Sequence, residues 1–404
     1  MGFIVMMTIS SPQYVWTLFT GAFQTKTGAL LSDVQWTITL LIVLQTWLSP
    51  LQGFLVDRFG PKLLIATGAS LSGLGWVASS YISTLWGLYL TYGLLCGIGT
   101  GIVYVGVVGL MVRWFPQNRG FATGVVAAGY GFGAMLTTFP IDSMIKAAGY
   151  EQTLMTFGII FAATGFISAL FLQSPHSGEV DERGSRPVAG SEVEDVSPGA
   201  MLRTPVFWLM FVMMSMMSTG GLMVITQFKS FSKSFGITDA TSVVILGMTL
   251  AAIPTALTFD RITNGLTRPF FGWVSDLIGR ENTMALAFIM EGFAIWLMLQ
   301  YRTDPFLFVV LSGLVFFGWG EIFSLFPSTL TDTFGTRHAT SNYGFLYMAQ
   351  GVGSILGAPV AAMIFERTGS WMPVFWLVIG MDIATGLLAL IALKPLRRRY
   401  LSAA

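Results

Sequence analysis

The sequence predicts an all-α membrane protein: twelve transmembrane helices arranged as two six-helix halves. Three observations carry that prediction. Of 404 residues, 54% are hydrophobic and only 10% charged, against roughly 25% charged in a soluble domain. Apolar runs of about 20 residues, the length that crosses a hydrocarbon layer about 30 Å thick, recur from one end of the chain to the other. A short Gly and Asp motif in the first half then returns in the second at a fixed offset.

Taken in order, the apolar runs place spans at 3–22, 34–55, 63–81, 85–111, 120–144 and 151–173, then at 205–228, 241–273, 282–300, 305–330, 341–364 and 371–393. Met1 to Met7 carry no basic stretch ahead of their apolar run, so the chain is expected to enter its first span directly, with no cleavable leader. Residues 174–204 differ in kind. Glu179, Asp181, Glu182, Glu192, Glu194 and Asp195 sit there among Ser, Gly and Pro with almost nothing to bury. The expected organisation is an amino-terminal bundle over 1–173, a solvated cytoplasmic linker over 174–204, and a carboxy-terminal bundle with a short basic tail over 205–404. If both termini are cytoplasmic, the inner connections hold thirteen Lys and Arg, including Arg58, Arg113, Arg119, Arg280 and Arg397, and the outer ones six. That bias obeys the positive-inside rule and implies a multi-pass protein of the cell (inner) membrane.

Composition excludes several function classes. A net charge of +1 leaves no basic surplus for nucleic acid. Cys96 is the sole cysteine and lies in an apolar run, so neither a disulfide within the chain nor a thiolate metal site is expected. His176 and His338 fall in polar connections. Without an intramembrane histidine or a usable cysteine, no enzyme is expected, and without a GK[ST] motif neither is direct ATP drive or any cofactor.

The repeat is Gly53, Asp57 and Gly60 in GFLVDRFG, matched 219 positions later by Gly272, Asp276 and Gly279 in GWVSDLIG. The segment GFLVDRFGPK at 53–62 resembles the loop signature of the major facilitator superfamily. More closely, SPQYVWTLF (11–19), GIVYVGV (101–107), RWFPQNRG (113–120), AAGYGFG (127–133), MLRTPVFW (201–208), NGLTRPFFGWVSDLIGR (264–280) and NYGFLYMA (342–349) are similar to the oxalate:formate antiporter family, relatives of the monocarboxylate transporters. The resemblance spans nearly the whole chain. It implies secondary transport of a small carboxylate anion by a monomer in the lipid bilayer, with protons as a coupling partner and a site between the halves.

The eighth span contains FDRITNGLTRP, which puts Asp260, Arg261, Asn264 and Arg268 inside an apolar run. An intramembrane charge costs about 2.5–3.5 kcal/mol on insertion scales and needs a partner, a cavity or a function. Arg268 and Asn264, four apart, share a helix face, and Arg261 falls close to it. Guanidinium keeps its charge and offers a fork of donors to a planar anion, which suits Arg268 to a carboxylate. The alternative is an ion pair with Asp260 or Glu321. The resemblance places the substrate-binding arginine at Arg268, and Arg261 is a possible second cation or a partner for an acid near the outer end. Asp260 is a candidate proton carrier or a permanent counter-ion, with Glu321 in reserve. Glu291 and Asp382 are expected to be peripheral, because the resemblance puts their helices outside the cavity.

The resemblance also assigns Tyr14, Tyr104, Tyr130, Trp319 and Phe323 to a substrate cage, with Gln13 as a neighbouring polar contact; each alone is equally compatible with ordinary packing. Asp57, Arg58 and Asp276 read as conformational latches. One position departs from the family pattern: Gln350 stands where the oxalate antiporters carry a lysine, and a neutral amide cannot balance a second carboxylate. The expectation is therefore a proton-coupled monocarboxylate transporter of the lactate or formate kind. Dicarboxylate exchange, with Arg261 as second cation, and a membrane anion sensor remain as alternatives.

Overall fold

The computed structural model describes residues 1–175, 195–238, 240–245 and 247–403; the expected linker from 176 to 194, with its acidic run and His176, lies outside them. The first expected span is a broken one: α1 (Gly2–Thr8), α2 (Ser11–Tyr14) and α3 (Trp16–Thr27). Pro12 near the start of α2 has no N–H to give, which suits a helix start and not a helix interior. The break therefore falls on SPQY and presents Gln13 and Tyr14. Next come α4 (Leu31–Trp47) and α5 (Ser49–Phe59), bent by 49° just before Pro50, then α6 (Pro61–Ser79) and α7 (Leu85–Leu88). A π-helical turn, Tyr89–Leu95, joins α7 to α8 (Cys96–Trp114), followed by α9 (Arg119–Ala148) and α10 (Tyr150–Leu170).

Beyond the undescribed stretch lie α11 (Pro198–Met201) and α12 (Pro205–Ser234), then β1 (Ser242–Ile245), β2 (Met248–Ala251) and α13 (Ala252–Ile278). The rest is α14 (Arg280–Gln300), α15 (Pro305–Trp319), α16 (Ile322–Phe334), α17 (Ala339–Thr368), α18 (Met372–Leu388), a second π-helical stretch (Ala389–Leu393) and α19 (Lys394–Ala403).

Two features correct the sequence reading, and the count of regular spans is lower than twelve among the described residues. The span expected at 241–273 starts instead as an antiparallel hairpin, with Ser242 opposite Ala251 and Ile245 opposite Met248. Gly247 turns at φ +80, and a short apolar run rich in valine fits a strand as well as a helix. Residues 195–204 are docked, not loose: Val196 donates its N–H to the Phe334 carbonyl at 3.0 Å, and Met201 is fully buried. Among the described residues, eight helices are long and apolar enough to cross a membrane, nine if α4 and α5 count as one. Residues 2–27 are broken twice, α6 is rich in Gly and Ser, and α13 carries Asp260, Arg261, Arg268 and Asp276.

The Gly and Asp repeat has a common geometry in both copies. A Cβ on Gly53 would lie 2.4 Å from the Thr340 carbonyl oxygen, and one on Gly272 2.1 Å from that of Gly120. Each glycine thus lets its helix press against the first turn of a helix from the other part of the chain, α17 or α9. Four residues on, the aspartate binds the free N–H groups of that first turn. Asp57 accepts from the Ser341 N–H at 2.8 Å; Asp276 accepts from Gly120 at 3.1 Å and Phe121 at 2.9 Å. Gly60 and Gly279 then end α5 and α13 at φ +89 and +94, a conformation that favours glycine.

Candidate functional site

Arg268 is 2% exposed at the crossing of α13 and α9. The crossing is close because Gly124 has no side chain: a Cβ there would lie 2.2 Å from the Arg268 carbonyl oxygen. Nη1 donates to the Ala127 carbonyl at 2.6 Å and Nη2 to Asn264 Oδ1 at 3.2 Å, while Nε has no acceptor. The guanidinium carbon sits 4.6 Å from the centre of the Phe323 ring, a cation–π contact that holds its plane. Arg268 forms no ion pair among the described residues.

From Phe323 the aromatic side chains run on as one chain of contacts. Its ring lies 6.1 Å from Trp319 and 6.2 Å from Tyr104; Tyr104 lies 5.6 Å from Tyr130, and Tyr130 5.5 Å from Tyr14. The Tyr130 hydroxyl donates to Gln13 Oε1 at 2.6 Å, and Trp319 Nε1 to the Met217 carbonyl at 3.1 Å. The structure therefore gathers all five aromatic candidates, with Gln13, Asn264 and Arg268, around one centre. Gln350 is 9% exposed on α17, and its Oε1 has no donor.

Sequence reasoning missed two members of this cluster. Tyr347 stacks on Tyr104 with ring centres 4.7 Å apart, and Gln45 Nε2 donates to its hydroxyl at 2.9 Å. A glutamine inside LLIVLQTW was a readable signal, since an amide in an apolar span needs a partner.

The acidic candidates separate. Asp260 is buried and accepts from Ser312 Oγ at 3.0 Å, with its other oxygen unpartnered. It does not meet Arg268. Arg261 is exposed, so the two arginines do not share one buried face. Glu321 instead lies within electrostatic reach of Arg268, fully buried, at the break between α15 and α16. Neither of its carboxyl oxygens has a hydrogen-bond partner. Glu291 and Asp382, expected at the periphery, are 1% and 0% exposed and interact electrostatically with each other. Glu291 is also within electrostatic reach of Glu321, and Gly318 and Gly292 let α14, α15 and α18 close in.

At the end of the molecule where the aspartates act, Asp57 pairs with Arg113 and accepts from Ser341 Oγ at 2.5 Å. Arg280 binds Asp276 at 2.6 Å and Asp332 at 2.8 Å, and Asp332 takes Arg119 at 2.6 Å. Arg58 is not part of this network. It is exposed, with its guanidinium 5.6 Å from the Phe59 ring centre; the cation paired with Asp57 is Arg113. An outward-facing hollow lined by Ala285, Ile289, Phe293 and Leu390 is apolar and shares no residue with the aromatic cluster.

Residues 1–264 and 256–403 match the profile of the Major Facilitator Superfamily. The chain belongs to that superfamily. Its fold agrees: it superimposes with a TM-score of 0.73 on a proton:xylose symporter of the same superfamily, covering 97% of this chain and 94% of that one at 12% identity. An oxalate:formate antiporter of Oxalobacter formigenes is 32% identical over 373 residues, 92% of this chain and 85% of the relative. A monocarboxylate transporter of Bos taurus is 24% identical over 366 residues, 89% and 80% of the two chains. This superfamily member is a multi-pass membrane transporter, and its relatives are transporters rather than enzymes.

Proposed function

We propose that this transporter carries a small organic monocarboxylate by alternating access, with twelve spans in two six-helix halves rocking about Arg268. The observation that carries the reading is a buried arginine whose Nε lacks an acceptor, held over Phe323, on whose ring Tyr104 in turn packs. A carboxylate bound there gains a charge-assisted hydrogen bond in a site closed to water. Tyrosine hydroxyls add donors, and that of Tyr104 is buried without a partner.

Asp57, Arg113, Asp276 and Asp332 then act as latches on the cytoplasmic side, to which both termini and most connecting arginines belong. Proton coupling runs through Glu321, which lies within electrostatic reach of Arg268; Asp260 is the alternative to it, not a second carrier. A cell (inner) membrane location and a monomeric state complete the proposal. Dicarboxylate exchange is the second reading, favoured by the 32% identity to the oxalate:formate antiporter. Uptake of labelled lactate, formate and oxalate into proteoliposomes, with and without an inward proton gradient, tests the proposal. Lactate or formate accumulation that follows the gradient supports it. Gradient-independent exchange of oxalate supports the second reading, and no movement of any anion removes both.

A further inference from the structure

The two latches are related by the repeat, yet only one has a brace. Thr336 and Arg337, in the turn before α17, are gripped from two directions. Arg113 takes their carbonyls, Nε reaching Thr336 at 3.1 Å and Nη2 reaching Arg337 at 3.3 Å. Asp195 takes their N–H groups, both at 2.9 Å on the single atom Oδ1. Two successive N–H groups converging on one oxygen form an anion cradle. Gly335 makes it possible: its φ is +82, and a Cβ there would lie 2.4 Å from that same Oδ1. Val196 ties the segment down, through its N–H to Phe334 and its carbonyl, which accepts from Asn342 Nδ2 at 3.1 Å.

Asp195 and Val196 thus travel with the turn and α17, whereas Arg113 and Asp57 belong to the part that must leave when this end opens. The corresponding turn before α9 has Asp276 and Arg280 on its helix start, but no carboxylate braces the turn itself among the described residues.

We propose that Asp195 is a positioning residue of the transport cycle: by fixing the 335–338 turn it aims two carbonyls at Arg113 and so holds this end closed. The proposal rests on the alternating-access reading. It makes the end of the connecting segment a brace on one latch only, so that the closure is asymmetric although the repeat is not. The relevant chemistry is hydrogen-bond acceptance, so an amide oxygen at position 195 replaces the carboxylate and a methyl group does not.

The test uses the full chain in liposomes, with spin labels at K62C and R398C to read the separation of this end. Losing the cradle removes the two hydrogen bonds that fix the turn, so Asp195→Ala should raise the separated population about fivefold or more. Asp195→Asn should keep the distribution close to that of the unchanged protein, a rescue that a general loss of stability does not produce. An Asp195→Ala distribution equal to the unchanged one, while Arg113→Ala shifts it, overturns the brace and leaves the latch standing. Equal shifts for Asp195→Ala and Asp195→Asn also overturn it. If Arg113→Ala shifts nothing either, it is the alternating-access assignment of this end that fails.

Discussion

Arg268 shows why a guanidinium and not an ammonium stands at the centre of the cluster. One N–H of each terminal nitrogen is committed to Ala127 and Asn264, and its plane rests on Phe323, which leaves Nε–H and the other N–H of each terminal nitrogen for a ligand. A lysine carries the charge but cannot keep two anchors and still point a third donor, because its ammonium is a point charge on a flexible stem. Arg268→Lys should therefore weaken carboxylate binding about 10–100-fold, the worth of a hydrogen bond to a charged group; titration calorimetry with lactate measures it, and near-normal affinity excludes the carboxylate role. Gln350 is the complementary case. An anion with a second charge must desolvate it beside a neutral amide, without an equivalent return. Gln350→Lys should raise oxalate affinity relative to lactate by about tenfold, the scale of one such bond, and tight oxalate binding to the unchanged protein would remove that explanation. Both residues were legible as single letters: an arginine and an amide inside apolar runs need reasons. Their partners were not, since nothing in the sequence says that Ala127 of α9 lies opposite Arg268.

At the scale of the element, two of the helix breaks feed the site that continuous helices otherwise build. The α2 break presents Gln13 and Tyr14, and the α15–α16 break presents Glu321. These interruptions follow from SPQY and from Gly320 and Glu321, but the sequence spacing alone suggested Asp260, two turns from Arg268 on the same helix, as its partner. The structure turns Asp260 towards Ser312 instead and brings Glu321 in from another helix. Tertiary packing decided this, and packing between helices is what a linear pattern carries least. The same limit explains the hairpin at 242–251, where an apolar run had two compatible backbones. Two predictions follow from the rearrangement. Glu321→Gln should leave anion exchange intact and abolish accumulation driven by a proton gradient, whereas Asp260→Asn should keep both; the reverse pattern in counterflow and gradient-driven uptake would return the coupling role to Asp260. Glu291 and Asp382, buried together with no ion pair among the described residues and with Glu291 Oε2 and both Asp382 oxygens unpartnered, lend the fold no attraction that needs charge. Replacing such groups by neutral residues of similar volume is often neutral or stabilising, so Asp382→Asn should leave the melting temperature unchanged or raise it.

For the whole molecule, the repeat is a mechanical statement. Its glycine permits contact with the opposite helix start, its aspartate satisfies that helix start, and its second glycine lets the chain turn away, twice over at an offset of 219. The hydrogen bonds that join residues 1–175 to 195–403 include Gln45 to Tyr347 and Arg268 to Ala127 within the cluster, Thr123 to Ser328 beyond it, and those of Asp57 and Asp276 at the end. A closure built this way must be broken for a ligand to leave by that end. Asp57 and Asp276 hold different helices and share no side-chain partner, so their contributions to the closed state should be close to additive. A cysteine at Ser328, fully buried against Thr123, reads the open fraction through its rate of reaction with a water-soluble maleimide; Cys96 is buried and adds little background. Removing either carboxylate takes away at least one hydrogen bond to a charged group, worth about 1.5–3 kcal/mol, so Asp57→Ala and Asp276→Ala should each raise that rate roughly tenfold or more. The double variant should show close to the product of the two factors. A double variant no faster than either single one would mean that the first lost carboxylate already opens the whole end, and that the repeated motifs work as one latch.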